Sequence, residues 1–477
     1  MLKKNFNAIL NTVLFKTVQE TADELQLQTY VIGGFVRDHL LNRNRTNTDI
    51  DFVVIGSGIE LAQALQKKLK KASKVQVFKT YGTAMLKWGD ITLEFVGARK
   101  ESYAPESRNP KITEGSLEDD QKRRDFTINA LAISLNKETY GRLLDPFNGI
   151  DDLQKGILRT PLEPGITYSD DPLRMLRAVR FASQLNFVIE KKSLDAIQEH
   201  AERISIITKE RCVDELHKIM MCDTPSLGLL LLDKVKILPL LLPELIDLKG
   251  IEEVEGKTHK DNFFHTFEVV DNICRNTDNL WLRWAALLHD IGKAPTKRFH
   301  KKNGWTFHGH EFVGAKMVYK LFKRLKMPLN DKMKFVQKMV LMSSRPIVIA
   351  EDLVTDSAVR RLIFDAGDHI NDLITLCEAD ITTKNPKRFK QYHNNFKIVR
   401  KKIVEVEERD HIRNFQPPVS GEIIMKSFNL KPSKAIGQIK EAIKEAILEG
   451  EITNEFDAAF ELMKKEGEKL GLKFVEN

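Results

Sequence analysis

Long apolar runs are scarce in this chain of 477 residues. The most apolar stretch, Leu227 to Leu248, is interrupted by Asp233, Lys234, Lys236, Pro239 and Pro243, which excludes it as a bilayer span. The opening MLKKNFNAILNTVLF has neither a long apolar core nor a small-residue cleavage site, so a secretory leader is not expected and a cytoplasmic location is. Cysteine is scarce as well. Cys212, Cys222, Cys274 and Cys377 show no CxxC spacing, which argues against a disulfide framework or a thiolate zinc site and for reduced core thiols. What is present is an ordinary globular composition, 42% hydrophobic and 30% charged, with room for three or four domains. The net charge of +8 favours a polyanionic partner.

The stretch Tyr30 to Val54, YVIGGFVRDHLLNRNRTNTDIDFVV, carries the most chemistry. It reads as a short strand, a Gly33-Gly34 turn, a helix start with Arg37 and Asp38, a polar loop and a second strand with Asp49 and Asp51. Side chains two apart on a strand share a face, so the two carboxylates stand side by side. They repel unless a cation lies before them, and Mg2+, an oxygen-seeking ion that keeps positions open for phosphate, suits the place. Gly33 and Gly34 let backbone N–H groups approach a triphosphate, and Arg37 adds a guanidinium. Nucleotide binding for phosphoryl or nucleotidyl transfer is expected.

GGFVRD followed by DID resembles the signature of class II tRNA nucleotidyltransferases and bacterial poly(A) polymerases, members of the polymerase-beta-like superfamily. The resemblance implies an α+β fold: a nucleotidyltransferase head with a small mixed sheet, followed by an elongated all-α neck, HD and tail region. The expected divisions are 1–150 for the head, 151–250 for the neck, 251–400 for the HD domain and 401–477 for the tail. Strand character at Ile50–Val54, Val75–Phe78, Ala84–Lys87, Ile91–Val96 and Leu131–Ile133, with helices over 7–28 and 60–72, fits that head. Glu94, in ITLEFVGAR, is either a third acid near the metal or an edge-strand charge. Residues 99–120 are rich in turn formers and predict a loop. RRDFTINALA follows, with a helix expected to open at Asp125. It too matches the family, and by that resemblance Arg124 contacts the nucleotide while Asp125 holds the loop or the guanidinium.

In YSDDPLRMLRAVRFASQLNF, Asp170 predicts a helix N-cap and Pro172 its first turn. Asp171, Arg174, Arg177 and Arg180 recur every third residue and make a charged ribbon that drifts about 60° per step. Cytosine and adenine both offer an amino donor beside a ring-nitrogen acceptor, whereas guanine and uracil show the reverse. A rigid Asp171 and Arg174 pair therefore accepts C and A and rejects G and U. A salt-bridged helix between domains reads equally from the pattern alone. The stretch is similar to the family's EDxxR helix, with Asp170 in place of the usual Glu, and by that resemblance all four charged residues contact the nucleotide.

Six of the twelve histidines fall between His259 and His310. With His289-Asp290 adjacent and Asp380 ending an apolar helix, they predict a metal site of the phosphohydrolase kind. The pattern resembles the HD domain, and that resemblance makes His265, His289, Asp290 and Asp380 ligands of a second divalent metal, adds His310, and gives Lys293 to a phosphate. Where relatives show a further histidine, this chain has Ser343 and Ser344.

Lys384 to Lys402 holds eight basic residues and no acid, with Phe389, Tyr392 and Phe396 interleaved, which predicts contact with RNA. The segment from Val419 to Gly450 resembles the family's RNA-holding tail.

The leading expectation is a template-independent enzyme that adds C, C and A to the 3′ end of tRNA from CTP and ATP, releasing pyrophosphate by two-metal nucleotidyl transfer, with tRNA as partner and no membrane. A poly(A) polymerase, an enzyme adding part of CCA, an HD phosphodiesterase or phosphatase, and a non-catalytic RNA-binding protein remain alternatives.

Overall fold

The computed structural model describes residues 6–43, 49–102, 111–351, 355–413 and 415–475. The chain forms two compact units, Met1–Pro243 and Glu244–Asn477. No described helix is long and apolar enough to cross a membrane.

The first unit is built on a mixed sheet of seven strands. Taken in chain order, the strands of the head are β1 (Gln28–Ile32), β2 (Asp49–Ile55), β3 (Gln76–Phe78), β4 (Thr83–Trp88), β5 (Ile91–Gly97), β6 (Arg99–Ser102), β7 (Lys111–Glu114), β8 (Ala132–Ser134) and β9 (Leu143–Leu144). The sheet order is β3-β4-β5-β2-β1-β8-β9, with β2 and β5 parallel and the other neighbours antiparallel. Val31, Ile32, Phe52, Val53, Leu93 and Phe95 are buried in it, and Phe52 stacks on Phe95 at 4.7 Å. The polymerase-beta-like head and the helical remainder agree with expectation.

Local expectations needed four corrections. The helix foreseen over 7–28 is two, Asn7–Leu10 and Val13–Glu24, because Thr12 caps the second by accepting from the Phe15 N–H. The stretch foreseen as a loop contains the antiparallel pair β6 and β7, then the helix Leu117–Lys122, which Ser116 and Asp119 open with a capping box. Residues 103–110 of that stretch, and 44–48 of the polar loop before Asp49, lie outside the described residues. No α-helix opens at Asp125; a single 3-10 turn, Thr127–Asn129, follows it, since the Asp125 carboxylate is spent on the Phe126 N–H and on Asn129 Nδ2.

The fourth correction concerns Asp170. It ends the helix Pro164–Asp170 instead of capping the next. Proline disfavours helical backbone in the residue before it, so Asp171 is extended at φ −134° and the helix Leu173–Leu185 starts only after Pro172. Asp171 Oδ1 accepts the Leu173 N–H at 3.2 Å.

In the second unit, helices Asn262–Cys274, Leu280–Leu288, His310–Arg324, Asp331–Met342 and Ile370–Ala379 enclose an apolar core that includes Phe263, Trp284, Val318, Val336 and Ile374. The basic stretch runs from Lys384 into the helix Pro386–Asp410, and among the described residues three further helices follow it, Gly421–Ser427, Lys434–Glu449 and Phe456–Lys469.

Candidate active site and metal centre

Strand β1 ends at Ile32, whose register partner on β2 is Asp51. Gly33 follows with φ +80° and opens the helix Gly34–Leu40. A Cβ at Gly33 would lie 3.3 Å from Asp51 Oδ2 and 3.2 Å from Arg124 Nη1, so glycine here serves both the backbone angle and the close approach. Asp49 and Asp51 share a face of β2, and Glu94 stands opposite Asp51 on the parallel strand β5. The open question about Glu94 is thereby answered in geometry: it is a third carboxylate beside the pair.

Burial pushes the Asp51 carboxyl above its ordinary value, and the neighbouring Asp49 adds to the rise against the pull of Arg124. Glu94 is raised in the same way, by burial and then by Asp51. Hard oxygen donors whose mutual repulsion a cation would relieve are a fitting place for a divalent ion.

Next to these acids, Arg123, Arg124, Asp171, Arg174, Arg177 and Arg211, together with Asp125 and Leu173, line a cavity of about 250 Å³. Most of its charged walls are fixed. Asp120, fully buried, takes Arg124 Nε at 3.2 Å and Arg123 Nε at 3.0 Å. Asp125 takes Arg177 Nε at 2.8 Å. Burial pushes Asp125 upward, but the Arg177 guanidinium and the Asn129 amide outweigh it and hold the carboxyl at about 2. Arg174 donates to the main-chain carbonyls of Thr167 and Arg123. The cavity is therefore rich in guanidinium charge and preorganised, which suits a nucleotide carrying phosphates.

Two foreseen contacts are not brought to this cavity. Arg37 is only 3% exposed; its Nε donates to Asp38 at 2.8 Å and its Nη1 to Asn129 Oδ1 at 2.7 Å. Arg180 is buried and donates to Glu215 at 2.5 Å and to Gln184 at 2.9 Å. The ribbon along the Leu173–Leu185 helix is thus not solvent-facing throughout, because 60° of drift per step carries its last member into the packing against the helix Lys209–Met220.

Sequence reasoning passed over Asp120, Asn129, Arg211 and Glu215. Only Asp120 carried a signal, an acid four residues before Arg124 in a helical run.

The second unit holds the histidine cluster. Asp261 caps the helix that carries His265, His289 ends the helix Leu280–Leu288, and Asp380 ends Ile370–Ala379. His265 Nε2 lies 2.8 Å from Asp380 Oδ1, and His289 Nε2 lies 3.3 Å from Asp290 Oδ2 and 3.6 Å from Asp380 Oδ1. His289 Nδ1 donates to the Ala286 carbonyl at 2.8 Å, which leaves Nε2 facing the Asp290 and Asp380 carboxylates. Metal-ligating histidines commonly donate the other ring N–H to a carbonyl in this way. His265, His289 and Asp290 each offer a ligand atom within 4.8 Å of the others. Burial opposes charge on both members of the His289–Asp290 pair, yet their mutual attraction lifts the imidazole to about 10 and holds the carboxyl well below its usual range.

His310 Nε2 is 3.6 Å from Asp290 Oδ1, at the edge of the cluster. Its helix is drawn in at Gly292, where a Cβ would come within 2.0 Å of the His310 carbonyl oxygen. Lys293 bonds Asp290 Oδ2 at 2.6 Å. Ser343 and Ser344 spend their hydroxyls on the Val340 carbonyl and on Glu311. In the basic helix Phe396 is core and Phe389 is exposed.

Against known proteins, the family model described as Poly A polymerase head domain matches residues 29–159. The model described as probable RNA and SrmB-binding site of polymerase A matches 186–248, and that of the HD domain matches 262–385. An A-adding tRNA nucleotidyltransferase of Deinococcus radiodurans is 31% identical over 346 residues, covering 71% of this chain and 76% of that protein. The chain belongs to the family of tRNA nucleotidyltransferases and poly(A) polymerases. Another relative of this nucleotidyltransferase, the multifunctional CCA protein of Shewanella frigidimarina, is 31% identical over 369 residues, 74% of this chain and 84% of the relative. Its fold is that of the Bacillus stearothermophilus CCA-adding enzyme, solved in complex with CTP, at a TM-score of 0.70 and 21% identity over 96% of this chain and 99% of that one. The Thermotoga maritima CCA-adding enzyme complexed with tRNA gives 0.59 at 23% identity, over 96% and 95%. Head and HD domains of these kinds imply use of divalent metal ions.

Proposed function

We propose that this nucleotidyltransferase adds C, C and A without a template to the 3′ end of tRNA, taking CTP and ATP and releasing pyrophosphate. The observation that carries the reading is the triad Asp49, Asp51 and Glu94 beside Gly33, adjoining the guanidinium-lined cavity that contains Asp171 and Arg174. The relatives' names, multifunctional CCA protein among them, support the substrate.

Magnesium, as two ions, would be held by Asp49 and Asp51 with Glu94 at hand. When bound it supplies activation of the RNA 3′ hydroxyl and neutralisation of the leaving pyrophosphate. In the transfer the 3′ oxygen bonds the α-phosphorus, the α–β phosphoanhydride breaks, and the hydroxyl proton departs. Gly33, Gly34 and Arg124 lie where the triphosphate enters. Arg177, fixed by Asp125, and Arg174, fixed by two carbonyls, supply donors to the cavity they line, and Asp171 supplies the acceptor. Such a rigid donor and acceptor pair accepts C and A and leaves G or U with unmatched buried groups. Arg37 and Arg180 act through their neighbours.

Replacing Asp51 with Asn tests this. Transfer of CMP or AMP to tRNA transcripts ending before CCA, after one C and after CC should vanish while the melting profile stays unchanged; wild-type rates would refute the assignment. The same transcripts with the unaltered protein separate full CCA addition from the A-adding activity named for the Deinococcus radiodurans and Aquifex aeolicus relatives.

The convergence of His265, His289, Asp290 and Asp380, with His289 Nδ1 spent on the Ala286 carbonyl, favours a second reading alongside the first, a divalent metal held by these four residues for phosphate-ester hydrolysis. A cytoplasmic location, RNA contact through the Pro386–Asp410 helix, and the division into head, neck, HD domain and tail at about residues 150, 250 and 400 belong to the same proposal.

A further inference from the structure

Three guanidiniums surround one aromatic ring in the first unit. The Cζ atoms of Arg180, Arg37 and Arg177 lie 3.8, 4.9 and 5.4 Å from the centroid of Phe181, which is 5% exposed. Each cation has a carboxylate of its own, Arg37 with Asp38, Arg177 with Asp125 and Arg180 with Glu215. Those three acids come from three different elements, so they do not set the cations relative to one another. The ring does, since its negative face attracts a cation and its edge is held against Phe126, centroids 5.8 Å apart in a T-shaped contact.

A polar relay runs beside the ring. Arg37 Nη1 donates to Asn129 Oδ1 at 2.7 Å, Asn129 Nδ2 donates to Asp125 Oδ1 at 2.9 Å, and Asp125 Oδ2 accepts Arg177 Nε at 2.8 Å. Arg37 belongs to the helix that Gly33 opens, and Arg177 stands one turn after Arg174 on the helix Leu173–Leu185. Phe181 and Asn129 therefore tie the element at the carboxylates to the element that lines the base end of the cavity.

We propose that Phe181, together with Asn129, is a positioning joint that locks Arg37, Arg177 and Arg180 into one array and so keeps the phosphate-end and base-end halves of the nucleotide site in register. This rests on the transfer reading above. A simple core phenylalanine would need only its volume, whereas the joint needs its π face. Leucine keeps most of the apolar bulk and discards the ring's charge distribution; tyrosine keeps both.

Steady-state incorporation of CMP and AMP into tRNA should show KM for CTP and ATP raised about fivefold or more in Phe181→Leu. KM for tRNA should stay at its wild-type value, and incorporation from UTP and GTP should rise. Phe181→Tyr should recover most of the loss. Asn129→Ala should give the same split between nucleotide and tRNA, which keeps the test open where Phe181→Leu folds poorly by thermal melting. Wild-type nucleotide KM and selectivity in both Phe181→Leu and Asn129→Ala would overturn the joint, as would a Phe181→Tyr protein no better than Phe181→Leu at equal melting temperature. Loss of transfer in Asp51→Asn alongside an unaltered Phe181→Leu would sink the joint alone, while activity surviving in Asp51→Asn would sink the reading beneath it.

Discussion

Replacing Gly33 with Ala separates two contributions of one glycine. At φ +80° and ψ −136° an L side chain is strained, by about 1–3 kcal/mol. For a unit the size of Met1–Pro243 that strain lowers Tm by about 2–4 °C per kcal/mol. The second contribution is contact: the new methyl would stand 3.3 Å from Asp51 Oδ2 and 3.2 Å from Arg124 Nη1, so both must give by a few tenths of an ångström. Asp120 resists movement of Arg124, and strand pairing on both sides resists movement of Asp51. A displacement at reacting groups costs on the order of a hundredfold in rate when it reaches about 1 Å, and a loss approaching that is expected in kcat for nucleotide addition. The control is Gly89→Ala, at φ +60° with nothing within 4 Å of the added carbon. It places a side chain at positive φ without the contact and should melt lower with wild-type kcat. Tm by differential scanning calorimetry and kcat at saturating CTP give the two readouts. A Gly33→Ala protein that loses no more activity than Gly89→Ala would refute the close-approach argument.

Acid should weaken the first unit through Asp125. Its folded value of about 2 lies below the ordinary 3.8, so the stabilisation, about 2 kcal/mol, is present above pH 4 and lost as pH falls towards 2. Urea midpoints of wild type and Asp125→Asn should accordingly converge between pH 4 and pH 2, and a gap that stays constant across that range would contradict the pairing with Arg177. In the second unit Gly292→Ala should push the His310 helix outward and His289→Ala should remove a ligand. Manganese or zinc bound per chain, by atomic emission after dialysis, should fall in both, and unchanged metal content would rule out the cluster as a metal centre.

The strand of the acidic pair was readable from sequence because a period of two makes its own geometry: Asp49 and Asp51 share a face whatever surrounds them. The histidine cluster was readable for another reason, since His289-Asp290 and Asp380 end apolar helices whose periodicity is plain, and helix ends converge where cores close. Glu94 stayed ambiguous because its place beside Asp51 depends on the parallel register of β2 with β5, two strands joined through a helix and a hairpin, and nothing local specifies that register. The start of the base-end helix was misplaced although the signal was there. Pro172 was read as a first-turn residue, yet the same ring forces Asp171 into extended backbone, from which its Oδ1 accepts the Leu173 N–H.

That Arg37 and Arg180 are held away from the cavity by their partners follows from what a motif can and cannot specify. Spacing says where on a helix a side chain starts, and a guanidinium reaches several ångströms further, so its end point depends on which acceptors and rings stand within that reach. Arg177 and Arg180 start one turn apart and end at different acids, Asp125 and Glu215. Neither acid is near them in sequence. What separates a cation that meets substrate from one that holds the site together is therefore the distribution of buried carboxylates, and Asp120, Asp125 and Glu215, all buried, make that distribution here. Every guanidinium so held loses freedom before the nucleotide arrives, which lowers the entropy that binding must remove. The same pairing makes the array sensitive to loss of an acid, because a guanidinium left buried without its partner is destabilising by about 3–5 kcal/mol.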